Sequence, residues 1–425
     1  MTIGTSRAGE TDRLALLYRL SQTFNSSLDL DEVLNRVMDE VVAATRAERG
    51  FVMLREPDGS LTFRVARGMD RATIDDPQFQ VSRGVVERVA QEGQPMLSSD
   101  AQADDRLSMR MSVMNLRLRS ILCVPLRIKD IVLGVVYVDN RLQTGIFVQD
   151  DLELLTAIAS SAAIAIENAR LYQVAVEKGR MEQDLQMARE VQASLLPGQT
   201  PEIPGWEFAA RWQPAREVSG DFYDFVPMPG GQLVLVIADV VGKGMPAALF
   251  MALSRTIVRA SVGDSPSLAE GMTRANRLVY ADAADGMFVT VCCALLNSET
   301  GEVTYVNAGH NPPLLSRQSD DAAAQPLTEL RPTGMAMGVL DGIPFEQRTV
   351  HLEPGDLILL YTDGVPDATG SKEKRFEMER VRRILLEHRH KSAAGIVAAL
   401  ESAINAFTGA TTPFDDIAIM VAKRV

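Results

Sequence analysis

Soft metal ligands are scarce in this sequence: three cysteines and four histidines are spread through 425 residues. Cys123, Cys292 and Cys293 lie inside apolar, strand-like runs without metal-ligand spacing. They read as reduced core residues of a cytosolic protein, and a His-rich zinc site is not expected. Basic excess is lacking too. A net charge of −13 argues against general binding to nucleic acid or to an acidic membrane. The N-terminus has no apolar signal core and no transmembrane run is read, so the expected compartment is the cytoplasm. Any membrane contact is then left to a partner. What remains is ordinary, with 46% hydrophobic and 23% charged residues. The length is too great for one core and suggests about two to three domains.

The chain is organised around Gln232 to Leu253, QLVLVIADVVGKGMPAALFMAL. Leu233 to Ala238 is a short run of branched apolar residues, which predicts a buried strand. It ends on Asp239. Gly242 and Gly244 bracket Lys243, and Met245-Pro246-Ala247-Ala248 opens an amphipathic helix with Pro in its first turn. A carboxylate at the tip of a strand beside a Gly-rich turn can hold a metal ion or contact a phosphate. An Asp acting only as a helix cap would look the same.

The first third reads as helices, then hairpins. Leu14, Leu17, Leu20 and Phe24 fall at helical spacing, and Ser27 or Asp29 can cap a helix whose apolar face is Leu34, Val37, Met38, Val41 and Val42. Strands flank both Asp58-Gly59 and Lys129-Asp130, with a helix opening at Ser82 between them and an exit helix from about Asp150. This order, with SLDLDEVLNRVMDEVV, SRGVVERVAQEGQPML, SILCVPLRIKDIVLGVVYVDN and FVQDDLELLTAIASSAAIAIENARLY, resembles a GAF domain over residues 12–172. The resemblance implies an α/β domain that can bind a small molecule. Asn140, Phe147 and Asp150-Asp151 echo only part of the cyclic-nucleotide signature, and Arg141 departs from it. A ligand-free dimer module stands beside the ligand-binding reading. Leu152, Leu155, Ala159, Ala162, Ile166 and Ala169 then repeat in steps of three and four, a coiled-coil-like seam. Its phase slips near Gly179 and resumes at Met181, Leu185, Ala188 and Leu195, before Pro197. Residues 173–197 are expected to be a helical linker, with Gly179 as a hinge and a homodimer as the assembly.

Beyond Pro204-Gly205 the chain becomes strand-rich. Strands are expected at Trp206 to Trp212, Phe288 to Leu296 and Val303 to Asn307, and helices at Pro246 to Val262 and Ser267 to Tyr280. Asp320 to Gln325 is expected in a loop. Aspartates sit at four strand edges: Asp221, Asp239, Asp363 and Asp415-Asp416. One Asp-Gly is a common turn, but several clustered carboxylates repel unless cations neutralise them. An all-oxygen donor set suits Mg²⁺ or Mn²⁺. Two such ions can lower the pKa of a shared water and direct it at a phosphorus.

The segments SGDFYDF, ADVVGKGMPAALFM, FVTVCCALL, NAGHNPPLL, GDLILLYTDGVPDA and FDDIAIMV resemble, in order, the motifs of PPM-type metal-dependent serine/threonine phosphatases. The bacterial SpoIIE/RsbU-like branch is the most similar, over residues 198–425, and LQMAREVQASLLP resembles its opening stretch. The resemblance implies an αββα sandwich with a dinuclear Mn²⁺/Mg²⁺ site, so the whole chain is expected to be α+β. It also implies Asp239 as the aspartate bridging both ions and Val240 as a ligand through its carbonyl. Asp363 and Asp415 match ligands of one ion, and Asp221 the acidic position near the other. Asp416 ranks below Asp415, and Asp224 is supportive. Lys243 stands where relatives often have His. Ala418 replaces a frequent Thr, which removes an outer hydrogen bond. His310 is read as structuring its loop rather than as an acid, and Arg216 as a surface residue rather than a phosphate contact.

The expected function is therefore a sensor-regulated protein phosphatase acting on phosphoserine or phosphothreonine. By resemblance, its partner is a phosphorylated STAS-type anti-sigma-factor antagonist. Stalk rearrangement is expected to reach the metal site through the helix that begins at Pro246. The alternative is a ligand-sensing dimeric scaffold whose phosphatase domain binds without turnover.

Overall fold

A computed structural model describes residues 15, 18–20, 22–24, 26–68, 73–74, 81–104, 117–284, 286–318, 327–370, 374–409 and 415–425. Leu14, Leu17, the 320–325 loop and Phe414 lie outside the described residues. Contacts divide the chain into two units, Met1–Arg180 and Met181–Val425.

In the first unit Asp29 caps helix α1 (Leu30–Thr45), accepting from the Glu32 N–H. The heptad-like apolar face of α1 is buried, including Val33, Leu34, Val37, Met38, Val41 and Val42. An antiparallel sheet has the order β2-β1-β5-β4-β3. Its strands are β1 (Arg49–Arg55), β2 (Leu61–Gly68), β3 (Met96–Ser98), β4 (Ser120–Ile128) and β5 (Ile131–Asn140). Helix α2 (Arg83–Glu92) joins the core on one face, with Phe51, Met53 and Tyr137. Helix α1 and the first turns of helix α3 (Gln149–Leu195) cover the other. Gly134 is required where β5 crosses β1, because a Cβ there would lie 2.0 Å from the Met53 carbonyl oxygen.

Helix α3 is a single helix of 47 residues, unbroken at Gly179. The expected seam, Leu155, Ala159, Ala162, Ile166 and Ala169, is buried in the core of its own domain. Those side chains are not free to face a second copy. The phase change is thus a change of face on one continuous helix. The second phase extends back along the exposed side, where Ile164, Leu171, Val174 and Met181 are 52%, 57%, 57% and 65% accessible. One window of α3 is also long and apolar enough to cross a membrane by length and composition, a run that the sequence reading does not anticipate. Of that window 44% is buried, by the small and aliphatic residues that pack into the domain core.

The second unit is a four-layer sandwich. One antiparallel sheet runs β13-β10-β9-β8-β7 and the other β12-β11-β14-β15-β6. The first contains β7 (Phe222–Met228), β8 (Gln232–Val240), β9 (Val289–Asn297), β10 (Glu302–Ala308) and β13 (Arg348–His351). The second contains β6 (Trp206–Gln213), β11 (Leu314–Ser316), β12 (Leu327–Glu329), β14 (Leu357–Tyr361) and β15 (Ile417–Arg424). Side chains alternate across each strand. On β8, Leu233, Leu235 and Ile237 enter the inter-sheet core, while Val234, Val236 and Ala238 meet helices α4 (Met245–Gly263) and α5 (Leu268–Asp282). On β15, Ala418, Met420 and Ala422 face inward, while Ile417, Ile419 and Val421 meet α6 (Glu377–His388) and α7 (Ala393–Thr408). Both faces of these strands are covered, which is why the sequence reads as continuous apolar runs. Cys292 and Cys293 are free and buried, one toward each core.

Candidate metal centre

Antiparallel pairing gathers the expected aspartates at one end of each sheet. Phe222 pairs with Ala238, so the start of β7 lies beside the end of β8, bringing Asp221 next to Asp239. Tyr361 pairs with Ile419, so Asp363 just after β14 lies by Asp415 and Asp416 just before β15. The same alternation that sends Ile237 into the inter-sheet core places Asp239 on that face, at the strand's end.

The carboxylates feel one another across the gap between the sheets. Burial, then Asp239 and Asp416, push the Asp221 carboxyl well above the ordinary range, against the opposing hydroxyl of Thr362. Burial, then Asp363, raise Asp239 to about 7. Burial, Asp415 and Asp367 raise Asp363, with Lys243 and the Gly364 N–H opposing. Asp221, Asp239, Asp363, Asp415 and Asp416 therefore form one electrostatic group.

Each loop is held by identifiable contacts. Asp416 accepts from the backbone N–H groups of Ala215 (2.7 Å) and Gly220 (2.8 Å), so both its oxygens are engaged in fastening the 214–220 loop. That separates it from Asp415, whose Oδ2 lies 2.9 Å from Lys243 Nζ. Lys243 is presented by a turn in which Gly242 and Gly244 have φ of +93° and +79°, a region costly for other residues. A Cβ on Gly220 would lie 3.0 Å from the Val240 carbonyl oxygen, so this glycine leaves room beside the carbonyl expected to act as a ligand. Arg216 is exposed on the same loop.

Two other polar residues have structural partners. Asp224 is buried and paired with Arg255 (3.0 Å) and Arg259 (2.8 Å), both on α4. His310 donates from Nε2 to the Tyr361 carbonyl (3.1 Å), and its Nδ1 lies 2.8 Å from the Thr290 hydroxyl. Burial pushes its pKa down to about 4, leaving a neutral ring with both nitrogens engaged. It structures the loop.

Two contributors were missed in the sequence. The Thr362 hydroxyl accepts from the Ala418 N–H at 2.8 Å, supplying an outer hydroxyl near the position where Ala418 lacks one. Its only signal was its place before Asp363-Gly364. Gln192, near the end of α3, holds the backbone of Ser219 through both ends of its amide. A polar residue among apolar ones at the helix end was its signal.

The donor set fits a hard divalent cation. Asp221 Oδ2 is buried without a hydrogen-bond partner, and the surrounding donors are carboxylate and carbonyl oxygens. Among the described residues no three or more His, Cys, Asp or Glu side chains stand close enough together to hold a metal ion between them.

Residues 229–425 match the family model of stage II sporulation protein E (SpoIIE), and residues 27–167 match that of the GAF domain. The phosphoserine phosphatase RsbU of Bacillus subtilis is 31% identical over 216 residues, 50% of this chain and 62% of that protein. Protein IcfG of Synechocystis is 26% identical over 276 residues, 59% of this chain and 43% of that protein. The chain thus spans about half the length of the curated relatives it matches. In fold, the SiaA-PP2C domain of Pseudomonas aeruginosa is similar, with a TM-score of 0.51 and 20% identity over 59% of this chain and 99% of that one.

Proposed function

We propose, for a chain that carries a GAF domain followed by a SpoIIE-type phosphatase domain, that it is a metal-dependent protein phosphatase. The observation that carries this reading is the single carboxylate group at the end of the sandwich, with its orphaned Asp221 oxygen. Asp239, with the Val240 carbonyl beside it, would bridge two ions. Asp363 and Asp415 would hold one of them and Asp221 the other. Bound there, Mn²⁺ or Mg²⁺ supplies Lewis-acid charge at a phosphoryl group and lowers the pKa of a water. The protein's own residues fix this arrangement. Asp416 fastens the loop before Asp221, Thr362 faces Asp221, and Lys243 keeps a positive charge beside Asp415.

The substrate class is phosphoserine or phosphothreonine on a separate signalling protein. The name of RsbU, a phosphoserine phosphatase, supports that choice. A phosphorylated STAS-type anti-sigma-factor antagonist is the partner in this reading, and the GAF domain is the regulatory input, with or without a small ligand. The assembly is a homodimer, paired through the exposed stripe Ile164, Leu171, Val174 and Met181, whose spacings of seven, three and seven suit a coiled coil.

The test is phosphate release from a phosphorylated STAS protein with and without Mn²⁺, for the wild type and Asp239→Asn. Turnover that needs the metal and falls by more than ~100-fold in the variant is expected, beyond the usual range for outer residues. A partner that stays phosphorylated with either metal would leave a binding scaffold instead.

A further inference from the structure

A cation stands among the carboxylates of the metal centre. Lys243 Nζ lies 2.9 Å from Asp415 Oδ2, and the same ammonium opposes the rise of the Asp363 carboxyl. The turn that carries it is fixed at both ends. Before it, Val240 pairs with Val289, and the Val241 N–H donates to the Phe288 carbonyl at 3.0 Å. After it, the Gly244 carbonyl accepts from the Ala248 N–H at 3.0 Å, in the first turn of α4. A Cβ on Gly242 or Gly244 would meet nothing within 4 Å, so these glycines serve the backbone angle and not a close approach. Lys243 is thereby held beside the strand tip that carries Asp239.

This pair is partly open to water. The Lys243 and Asp415 side chains are 34% and 30% accessible, so the ammonium faces the solvent from which a substrate arrives. A lysine stem is flexible, and its rotating N–H donors suit a phosphoryl group as well as a carboxylate. An exposed pair of this kind contributes little to stability. Charge gives the lysine a stronger reason to be there. With Asp221, Asp239, Asp363, Asp415 and Asp416 ionised, two divalent ions leave the group one negative charge, which Lys243 cancels. Without it a phosphoryl dianion would approach a negative centre. The helix end adds to the field. Gly244 is the N-cap of α4 and offers no side chain, and no acidic residue lies in the first turn.

We propose that Lys243 is a substrate-binding residue whose ammonium exchanges Asp415 for the phosphoryl oxygens of phosphoserine or phosphothreonine. The inference rests on the proposed metal centre, in which Asp415 is a ligand, and names the side chain that meets the phosphoryl group there. Asp415 cannot serve an ion and Lys243 equally well, because the two cations repel across one carboxylate. Released from Asp415, the ammonium takes the phosphoryl oxygens as acceptors in a charge-assisted hydrogen bond. Loss of the lysine charge then has two effects of opposite sign. It takes a competitor away from the ion, so metal binding holds or tightens. It also removes a donor to the phosphoryl group, so phosphate binding weakens. A residue that merely props Asp415 would do the reverse, weakening metal binding and leaving phosphate binding alone.

The experiment uses the full chain and four proteins: wild type, Lys243→Gln, Lys243→Arg and Asp239→Asn. Circular dichroism reads folding. Isothermal titration calorimetry reads Mn²⁺ affinity, and then the affinity of the Mn²⁺-saturated protein for inorganic phosphate. Lys243→Gln is expected to stay folded and to bind Mn²⁺ at least as tightly as the wild type. It should bind phosphate about tenfold or more weakly, as loss of a hydrogen bond to a charged group does. Lys243→Arg keeps the charge and should hold phosphate within about threefold of the wild type. Unchanged phosphate affinity in Lys243→Gln overturns the proposal, and weaker Mn²⁺ binding beside it would mark a prop for Asp415. A loss in Lys243→Arg as large as in Lys243→Gln also overturns it, as does a Mn²⁺-saturated wild type that takes up no phosphate. Asp239→Asn separates the two failures. If it binds Mn²⁺ as the wild type does, the metal-centre reading falls and takes this inference with it. If it loses the ion while Lys243→Gln keeps its phosphate, only the role of Lys243 falls.

Discussion

Two aspartates three residues apart, Asp221 and Asp224, illustrate how position decides role. Asp221 faces the other carboxylates with an unpartnered oxygen, whereas Asp224 is enclosed by two arginines from α4. Asp224→Ala would strand the mostly buried Arg255, so a loss of about 3 kcal/mol is expected in urea unfolding. For the carboxylates the sign runs the other way. Asp221, Asp239 and Asp363 have raised pKa values in the folded protein, and that of Asp239 is about 7. Their contribution is fully present below the unfolded value of about 4 and is lost as pH rises through the folded one. The melting temperature of chelator-treated protein should therefore fall between about pH 4 and 7. Added Mn²⁺ should raise it more at pH 7 than at pH 5, as differential scanning calorimetry would show. A flat profile with equal metal effects would mean that these carboxyls are not mutually strained.

At the scale of elements, helix α3 carries two apolar faces in succession. Leu155, Ala159 and Ile166 complete the core of the first unit, while Leu171, Val174 and Met181 are left exposed. Sequence periodicity detected the first face and, from Met181 onward, the second, but it showed neither that the first was already covered nor that the exposed face reaches back to Leu171 and Val174. Gly179 marks the change of phase yet has open space around its Cα, and the helix runs through it. Two acidic substitutions on the exposed face, Leu171→Glu with Val174→Glu, should convert a dimer to a monomer in sedimentation equilibrium. The far-ultraviolet spectrum should hold, because neither side chain enters a core. A dimer that persists would move the interface elsewhere.

At the scale of the whole molecule, the sequence by itself determined the kinds of element and the chemistry they could carry. Apolar alternation, glycine turns and capping residues depend on local geometry, so Asp29 as a cap, the Leu233–Ala238 strand and the Asp58-Gly59 turn were legible. The order of motifs also disclosed the αββα sandwich and the candidate aspartates. Convergence was not legible. Asp221 and Asp416 are far apart in sequence; the antiparallel pairing of β7 with β8 and of β14 with β15 brings the strand ends together in twos, and the packing of the two sheets brings the two pairs to one place. The division of labour between Asp415 and Asp416 was likewise decided by tertiary contacts, through the N–H groups of Ala215 and Gly220. So was the grip of Gln192 on Ser219. Periodicity reports the environment each residue needs, whereas partners distant along the chain are chosen by the packing of whole sheets and helices.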